Sequence, residues 1–466
     1  MKILVMDLTH GGVKIAISLA KKGEKVYCHD IYNTLKDIDK QMLEIYGVEL
    51  IQLEDLNEFK GDLKVICPVH LPLSNEDIRK YNPDLNYTFI THHQSIAEIL
   101  ADWGQDIDKI EITGVKGKTS CAFMLKEILI DYNPLLLSSL GAIIYENKKE
   151  TILQKNISIT PANIKESIDL ADKFANPICN GKNKNQIYGC AIFESSLGAT
   201  GIGDVGLLTN IIEDYPIAKN RLSASIAKKQ IFNCNIVCCE KESLDMYYNE
   251  ITHEKINSFS LEDKAANLYV NDVDYSLDET IIEIIYNDIK TKNGEVINGE
   301  ITVKTFAPGS HHVLNVLGVV GTALSLNMDE NKIINGLKNY KGIPGRTNKK
   351  NIENITVIEE INPGINTKAI EASINMLPDD SSYVISIGGD YGITCEEIDE
   401  NSVAELINNS NEDIILTGEV GRSILNKVNG KIKFIANPNK VYDFAVENNK
   451  NLLFIYRSDY KKLSKR

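Results

Sequence analysis

The strongest constraint on the fold is a glycine-containing junction between a short apolar run and a helical pattern. In IEITGVKGKTSCAFMLKEIL, residues 110–129, the apolar run ends before Gly114 and the helical pattern begins near Lys118. Glycine lets backbone N–H groups turn toward an anion without a Cβ in the way, and a helix N-terminus adds donors and the positive end of a dipole. The junction therefore predicts a strand, a phosphate-binding loop and a helix, in that order.

The loop differs from the usual P-loop in its glycine spacing. That pattern has about four residues between its glycines, whereas only Val115 and Lys116 separate Gly114 from Gly117 here. Lys118 can reach terminal phosphate oxygens, and the hydroxyl of Thr119 or Ser120 can reach Mg²⁺. An ordinary Gly-Lys-Thr turn is the alternative, but the flanking strand and helix patterns favour a shortened phosphate-binding loop.

A carboxylate at the end of another strand is the expected metal ligand. Glu194 in AIFESSLGATG follows an apolar strand and precedes a turn of small residues, where a ligand can approach. We therefore predict that Ser120 and Glu194 bind Mg²⁺. A solvated glutamate at a strand end is the alternative. Asp214 in TNIIEDYP is a weaker candidate, because its neighbours also suit a turn.

Composition limits the class of protein. At about 150 residues per domain, 466 residues predict about three domains, and the net charge of −15 argues against a protein that wraps nucleic acid or lies on an anionic membrane. Neither the N-terminus nor the apolar segment 313–326 suits a signal peptide or a membrane span, so we expect a cytoplasmic protein. Nine scattered cysteines without a Cys-x-x-Cys pair predict reduced core thiols.

Strand and helix patterns alternate along most of the chain, which predicts α/β units with mostly parallel sheets. The first unit runs over residues 1–105 and includes the strands KILVMD, KVYCHD, VELIQL and LKVICPVH. The second, 106–341, contains the glycine loop, a small antiparallel insertion near 259–303, and a helix for which Ser310 is a candidate N-cap. GIPGR is a linker to a third α/β unit, 342–466.

These elements together resemble the Mur ligase superfamily, and the resemblance covers nearly the whole chain in the right order. TGVKGKTS is similar to the family's TGTNGKTS loop, and Thr209-Asn210-Ile211 matches its TN-I segment. Glu194 matches the family's strand-end Mg²⁺ ligand, and Lys228 stands where the family often has a carbamoylated lysine. His311 and Asn315 match a G-x-H-N-x-x-N motif in which His312 replaces the Asn. Arg346 matches the arginine that contacts the γ-phosphate, and Glu360 and Asn362 match residues that face nucleotide.

The resemblance implies a three-domain Mur ligase architecture: an N-terminal Rossmann-like substrate domain, a central P-loop ATPase domain and a C-terminal Rossmann-like ligase domain. It implies an ATP- and Mg²⁺-dependent ligase in which ATP phosphorylates a substrate carboxylate and a nucleophile then displaces phosphate. The implied catalytic residues are Lys118, Glu194, Lys228 and Arg346. The implied ATP-binding residues are Gly114, Val115, Lys116, Gly117, Lys118, Thr119, Ser120, His312, Asn315, Arg346 and Glu360.

One departure from the family concerns the metal. Tyr215 stands where a metal-binding His usually follows the TN segment. A second metal ion and a carbamate on Lys228 are therefore left open.

Several short stretches of the sequence resemble more narrowly the MurF-like coenzyme F(430) synthetases of methanogenic archaea. The similar stretches are VMDLTHGG, DIYNT, CPVHLPLS, FITHHQSI and NPGINTKAIEASI. That group implies a small-molecule partner, a seco nickel tetrapyrrole whose propionate is activated and attacked by a carbon of the same molecule. Nickel is then expected only inside the substrate. His10 and His70 are the predicted substrate contacts, and the protein is expected to be a monomer or a small homo-oligomer.

Three other functions stay open at this point. An NAD-dependent oxidoreductase is suggested by Gly11-Gly12 after the first strand and Asp30 about 20 residues on, but the G-x-G-x-x-G pattern is absent and the Lys118 loop is left without a role. A non-catalytic ATP-binding module would keep the loop without needing Glu194, Lys228 and Arg346. An amide-forming Mur-type ligase would differ only in its nucleophile.

Overall fold

The computed structural model describes residues 1–176, 186–378, 383–393, 397–459 and 463. The chain divides into two compact units. The first comprises Met1–Asp272, Glu283–Val303 and Leu314–Leu337, and the second comprises Val273–Ile282, Lys304–Val313 and Lys338–Arg466.

The first unit begins with a parallel five-stranded sheet built from short apolar runs. Its strands are β1 (Lys2–Met6), β2 (Lys25–His29), β3 (Glu49–Leu50), β4 (Asp62–Cys67) and β5 (Asn86–Thr91), and its helices are α1 (Val13–Lys21), α2 (Asp37–Ile45), α3 (Asn75–Arg79) and α4 (His92–Ile99). One π-type turn covers Leu8–Gly12, and a 3₁₀ turn covers Leu53–Glu58. The strand order β3-β2-β1-β4-β5 brings the end of β1 to the middle of the sheet edge.

A second, larger sheet carries the glycine loop. Its strands are β6 (Asp108–Thr113), β7 (Pro134–Ser138), β8 (Gly141–Glu146), β9 (Lys149–Gln154), β10 (Cys190–Glu194), β11 (Val205–Leu208), β14 (Ile236–Glu240), β15 (Ile256–Ser260), β16 (Leu268–Asp274), β17 (Thr280–Lys290) and β18 (Val296–Thr305), with a separate ribbon of β12 (Pro216–Ile217) and β13 (Leu222–Ser223). The order is β18-β17-β16-β15-β14-β11-β6-β10-β7-β8-β9. Strands β14, β11, β6, β10 and β7 pair in parallel, and β8 and β9 add antiparallel strands.

Helices follow the strands of this larger sheet, as the alternating pattern predicts. They are α5 (Lys118–Ile128), α6 (Pro161–Ala175), α7 (Ala224–Lys228), α8 (Lys241–Tyr247), α9 (Ser310–Ser325) and α10 (Glu330–Asn339), with 3₁₀ turns at Ile130–Tyr132 and Lys229–Asn233. Among the described residues, none of the helices combines the length and apolar character needed to cross a membrane.

The second unit contains a six-stranded sheet in the order β19-β20-β24-β21-β22-β23. Its strands are β19 (Arg346–Ile352), β20 (Ile355–Ile361), β21 (Tyr383–Gly389), β22 (Asp413–Thr417), β23 (Lys433–Ile435) and β24 (Asn451–Arg457), and its helices are α11 (Thr367–Asn375), α12 (Glu400–Asn408), α13 (Gly418–Leu425) and α14 (Asn439–Glu447). Only β19 pairs antiparallel, with β20, and the other described pairings are parallel.

One apolar cluster joins the five-stranded sheet to the larger sheet inside the first unit. Ile15 on α1 and Ile96 on α4 share this cluster with Ile164 and Ile168 on α6, and all four are buried. Burial of a whole Ile side chain stabilises by about 1.5–3 kcal/mol. The cluster therefore packs α1 and α4 of the five-stranded sheet against α6 of the larger sheet.

The predicted α/β class with parallel sheets is confirmed, whereas the domain boundaries at 105/106 and 341/342 stay predictions. Two local expectations differ from the structure. VELIQL forms only the two-residue strand β3, because Leu53 begins a 3₁₀ turn. Ser310 is the first residue of α9 and not the residue before it. The β8–β9 hairpin was not predicted, since GAIIYE also suits a buried helix segment.

The parallel strands β6, β10 and β11 bring their carboxyl ends to the same sheet edge. Thr113 pairs with Leu208 of β11, and Ile112 pairs with Glu194 of β10. In open parallel sheets, ligands bind beyond the carboxyl ends of the strands. The glycine loop after β6 and the carboxylate at the end of β10 therefore belong to one edge.

Glu111 on β6 provides a test of what holds the loops at this edge. Its buried carboxylate accepts hydrogen bonds from Thr200 N at 2.8 Å, Thr200 Oγ1 at 2.7 Å and Gly201 N at 2.7 Å. Because Glu111→Ala leaves these buried donors without an acceptor, we expect it to lower the free energy of unfolding by at least about 3 kcal/mol. Urea unfolding followed by the fluorescence of Trp103 measures the change.

The matched control is Glu250→Ala, which removes an exposed glutamate and should change the free energy of unfolding by no more than about 0.5 kcal/mol. Equal effects of the two substitutions would contradict a stabilising role for the Glu111 hydrogen bonds.

Candidate active site

The glycine loop joins β6 to α5, as predicted. Gly114 has φ 138° and Gly117 has φ 84°, conformations that residues with a Cβ rarely adopt. A Cβ on Gly114 would lie 2.0 Å from Thr209 Oγ1, and a Cβ on Gly117 would lie 2.0 Å from Asn315 Oδ1. Both backbone conformation and space therefore require glycine at these two positions.

Thr209 and Asn210, which follow β11, hold the loop in place. The Asn210 backbone carbonyl accepts from Val115 N at 2.9 Å, and Asn210 Oδ1 accepts from Lys116 N at 3.1 Å. Thr209 Oγ1 donates to the Lys116 carbonyl at 2.6 Å. The family match of the TN segment marked these residues in the sequence, but their task as anchors of the loop required the structure.

Glu194 lies directly beside the first turn of α5. It is 2% exposed and accepts from Thr119 Oγ1 at 3.0 and 3.1 Å and from Ser139 N at 3.0 Å. The hydroxyl that contacts Glu194 is thus that of Thr119, while Ser120 is half-buried one residue further along α5. Hydroxyl and carboxylate oxygens are the ligands that Mg²⁺ prefers, so the chemistry of this group fits Mg²⁺.

Two lysines lie near the same edge. Lys118 Nζ donates to the Gly114 carbonyl at 3.0 Å and to the Val115 carbonyl at 3.3 Å. Lys228 is completely buried and donates to the Ser196 carbonyl at 2.5 Å. Burial holds the pKa of Lys228 well below its usual value, the charge on Lys118 lowers it further, and Asp214 acts in the opposite direction. An anionic ligand here would relieve the repulsion between the two lysines.

Tyr215 occupies the position at which the family usually has a metal-binding histidine. Its ring centre lies 6.0 Å from Lys228 Nζ, within the range of a cation–π contact. The phenol ring thus faces the buried lysine at this position.

A cavity of about 290 Å³ opens beside this edge. It is lined by His10, His70, His92 and His93 from the five-stranded sheet and by Ser196 after β10. Its volume is just below the usual range of ligand sites, about 300–1,000 Å³, so it suits a small ligand or one part of a larger one. Ser196 links the cavity to Lys228, whose ammonium donates to the Ser196 carbonyl.

Two of the cavity histidines are deeply buried and uncharged at neutral pH. Burial lowers the pKa of His92 to about 4, although the hydrogen bond between its Nε2 and the Met6 carbonyl opposes the shift. Burial also lowers the pKa of His93 to about 3, and the charges on His92 and Lys228 add to the shift. His93 Nδ1 is buried without a hydrogen-bond partner, so it is available to a ligand in the cavity.

Asp7 at the end of β1 holds the other two histidines. Its Oδ2 lies 2.7 Å from His10 Nδ1 and 3.3 Å from His70 Nε2. Burial alone would raise the pKa of Asp7, but the imidazoles of His70 and His10 outweigh burial and keep that pKa below its usual value. The carboxylate is therefore anionic at neutral pH.

In the second unit, three of the predicted nucleotide-binding residues lie close together. His312 Nε2 lies 2.8 Å from Thr347 Oγ1, and Thr347 Oγ1 donates to Glu360. Arg346 is the strand partner of Glu360 in the β19–β20 hairpin. Burial raises the pKa of Glu360 to about 7, and the hydrogen bonds from Thr347 and the charge of Arg346 oppose the shift.

The predicted site residues thus form groups within each unit. In the first unit the glycine loop, Glu194, Lys228 and Asn315 surround the edge of the larger sheet, and His10 and His70 line the cavity. In the second unit His312, Arg346 and Glu360 form one group through Thr347. Thr347, Ser139 and Asp7 were not predicted; Asp7 carried a signal in the sequence, since it is a carboxylate at a strand end next to glycines.

Substitution of Gly117 tests whether the shape of the loop serves nucleotide binding. In Gly117→Ala the new Cβ displaces the Asn315 amide, so we expect the affinity for ATP to fall at least about tenfold. Gly294→Ala is the matched control, because Gly294 has φ 88° but no atom within 4 Å of an added Cβ. Both variants incur about 1–2 kcal/mol of backbone strain, and only the first changes the loop.

Titration calorimetry with ATP and Mg²⁺ measures the difference. Equal affinities for ATP in the two variants would contradict a role for the loop in nucleotide binding.

Comparisons with known proteins show which chains this one is similar to. Residues 349–459 match the family model described as coenzyme F430 synthetase CfbE, C-terminal domain. Coenzyme F(430) synthetase of Methanocaldococcus jannaschii is 29% identical over 441 residues, covering 92% of this chain and 93% of the relative. Coenzyme F(430) synthetase of Methanosarcina acetivorans is 26% identical over 449 residues, covering 90% of each chain.

A solved structure shows the same fold. The crystal structure of MurF ligase from Thermotoga maritima in complex with ADP superposes with a TM-score of 0.55 and 14% identity, covering 88% of this chain and 94% of that one. These similarities support the predicted class of ATP-dependent ligases. The predicted resemblance is confirmed: the chain has the Mur ligase fold and is similar over about nine-tenths of its length to coenzyme F(430) synthetases.

Proposed function

We propose that this protein is an ATP-dependent ligase that activates a propionate of a seco nickel tetrapyrrole as an acyl phosphate and closes a carbocyclic ring by C–C bond formation. The observation that carries the proposal is the arrangement of Lys118, Thr119 and Glu194 around the glycine loop. The similarity to coenzyme F(430) synthetases supports the choice of substrate.

The glycine loop suits the triphosphate of ATP. The first turn of α5 directs N–H groups that have no partner within the helix toward the loop, where the dipole favours negative charge. Lys118 adds an ammonium group that donates to two loop carbonyls. Exchange of these neutral acceptors for phosphate oxygens makes stronger, charge-assisted hydrogen bonds.

Glu194 and the hydroxyl of Thr119 would hold Mg²⁺ at this edge, together with the hydroxyl of Ser120. The ion would supply positive charge to the phosphate oxygens during transfer. Hydrogen bonds from Ser139 N and Thr119 Oγ1 orient the Glu194 carboxylate without the ion, so little rearrangement is needed when the ion binds.

The cavity beside Ser196 suits the acceptor end of the substrate. Its histidines offer hydrogen bonds to substrate carboxylates, and the buried Lys228 offers a hydrogen-bond donor on the side of Ser196. A carboxylate held there would lie on the same sheet edge as the loop. Positioning the acceptor beside the γ-phosphate removes much of the entropic barrier to phosphoryl transfer.

The proposed reaction has two steps. A carboxylate oxygen bonds to the γ-phosphorus of ATP and ADP leaves. A carbon of the same tetrapyrrole gives up its proton and bonds to the acyl carbon, and phosphate leaves. The substrate loses one water overall, while ATP becomes ADP and phosphate.

Further nucleotide contacts are proposed from the family resemblance alone. Arg346 is proposed to stabilise charge on the γ-phosphate, as its family counterpart implies. Glu360, His312 and Asn315 are each proposed to bind the nucleotide, as the family resemblance implies. The hydrogen-bonded chain from His312 through Thr347 to Glu360 keeps two of these side chains in fixed orientations.

The direct test of the function is incubation of the protein with ATP, Mg²⁺ and the seco nickel tetrapyrrole. We expect release of ADP that depends on the tetrapyrrole, and a product lighter by the mass of one water. An amide-forming ligase would instead require an added amine for turnover. ATP binding without turnover on the tetrapyrrole, or on any other acid supplied with amines, would contradict a ligase.

Lys118→Ala tests the role of the loop lysine. Loss of its charge removes stabilisation of the transferring phosphoryl group, so we expect turnover to fall by about 10² or more. The control is Lys264→Ala, which removes an exposed lysine and should leave turnover unchanged. Turnover of Lys118→Ala at the wild-type rate would contradict the assignment.

Glu194→Gln tests the proposed Mg²⁺ ligand. The amide keeps the shape and one acceptor oxygen but loses the charge that binds a hard cation. We expect the Mg²⁺ concentration for half-maximal turnover to rise at least about tenfold, with the thermal unfolding midpoint nearly constant. An unchanged Mg²⁺ titration would show that Glu194 is not a ligand.

A further inference from the structure

Asp7, His10 and His70 converge on one point in a way that the proposed reaction does not use. Asp7 Oδ2 lies 2.7 Å from His10 Nδ1 and 3.3 Å from His70 Nε2, and the three atoms all lie within 4.8 Å of one another. The two rings meet edge to face, with centres 4.7 Å apart. The three groups belong to different segments: the end of β1, the turn after it and the loop after β4.

These separations are close to those of atoms that share a metal ion. At a metal–ligand distance of about 2.0–2.2 Å, neighbouring ligand atoms lie about 2.9–3.5 Å apart. Of the two contacts, the one between Asp7 and His70 falls in this range, and the one between Asp7 and His10 is slightly shorter. His70 Nε2 is buried and has no hydrogen-bond partner of acceptable geometry, although Asp7 Oδ2 is 3.3 Å away.

The backbone holds Asp7 in this position at some cost. Asp7 has φ 65° and ψ 91°, a region that non-glycine residues rarely occupy and that is often found at functional sites. Its Oδ1 accepts from Thr9 N at 3.0 Å and His10 N at 3.3 Å, so Oδ2 is left for the two imidazoles. A Cβ at Gly12 would lie 2.3 Å from the Asp7 carbonyl, which makes glycine necessary in this turn.

We propose that Asp7 Oδ2, His10 Nδ1 and His70 Nε2 bind a divalent first-row transition cation such as Zn²⁺ or Co²⁺. Two imidazoles and one carboxylate are a donor set for such ions, and three ligands leave coordination positions open. Both histidines line the cavity, so the open positions are available there to water or to a carboxylate oxygen of a ligand.

This site differs in chemistry from the proposed Mg²⁺ site at Glu194, which has oxygen donors only. It also differs from a site for the nickel of a tetrapyrrole substrate. A macrocyclic metal ion has its equatorial positions filled and offers a single position on each face, whereas three protein atoms converge here. The proposed cation is therefore bound by the protein itself and does not depend on the proposed reaction.

Titration of the chelator-treated protein with Zn²⁺, without nucleotide, tests the proposal. We expect one Zn²⁺ per chain, and an affinity at least about 100-fold lower in His10→Ala and in His70→Gln. His253→Gln is the control, because the His253 ring contacts the Cys234 carbonyl and lies outside the cluster. The Zn²⁺ affinity of this variant should equal that of the wild type. Circular dichroism verifies that each variant is folded.

Co²⁺ gives a second readout that identifies the ligands. Nitrogen and oxygen ligands give visible d–d absorption without the near-ultraviolet charge-transfer band of a cobalt–thiolate bond. We expect the d–d bands in the wild type and their loss in both histidine variants. Absence of Zn²⁺ binding, equal binding by all variants, or a thiolate band would each overturn the proposal. None of these results depends on turnover, so failure here is distinct from failure of the proposed ligase function.

Discussion

The hydrogen bonds from Thr209 and Asn210 to the glycine loop are the interaction on which the proposed chemistry depends. A loop with two glycines has many accessible conformations, and its amide groups bind an anion well only if they are held in one of them. Asn210 accepts from Val115 N and Lys116 N, and Thr209 donates to the Lys116 carbonyl. The end of β11 thereby fixes the loop after β6 before any ligand is bound.

The same sheet edge concentrates the charged groups of the proposed site. Glu194 is nearly inaccessible and still carries a full set of neutral donors, while Lys118 and Lys228 each donate to backbone carbonyls. Burying ionisable groups is costly, and such groups are typical of functional sites. A triphosphate with Mg²⁺ and a carboxylate acceptor would bring further charges of both signs to this edge. The stability lost to this arrangement would be recovered when substrates bind.

The sequence predicted those elements whose position depends on local patterns of apolar residues and glycines. The strand, glycine loop and helix at residues 108–128 and the end of β10 at Glu194 follow from apolar periodicity and glycine placement. It did not predict contacts between segments distant in the chain, such as the anchoring of the loop by Asn210 or the link from His312 through Thr347 to Glu360. Strand register decides these contacts, and a single sequence does not specify register. His10 and His70 were each predicted as a substrate contact. Their convergence on the carboxylate of Asp7 depends on the turn after β1 and was not predicted.

The cavity and the similarity to known proteins support the proposed substrate. The central physical claim is that the glycine loop binds the triphosphate of ATP. A crystal structure with a non-hydrolysable ATP analogue and Mg²⁺ tests that claim most directly. We predict triphosphate density along the first turn of α5, with Lys118 Nζ moved from the loop carbonyls to the terminal phosphate oxygens and Mg²⁺ within bonding distance of Glu194. Nucleotide density elsewhere, with the loop empty and Lys118 still on the Gly114 carbonyl, would contradict the account.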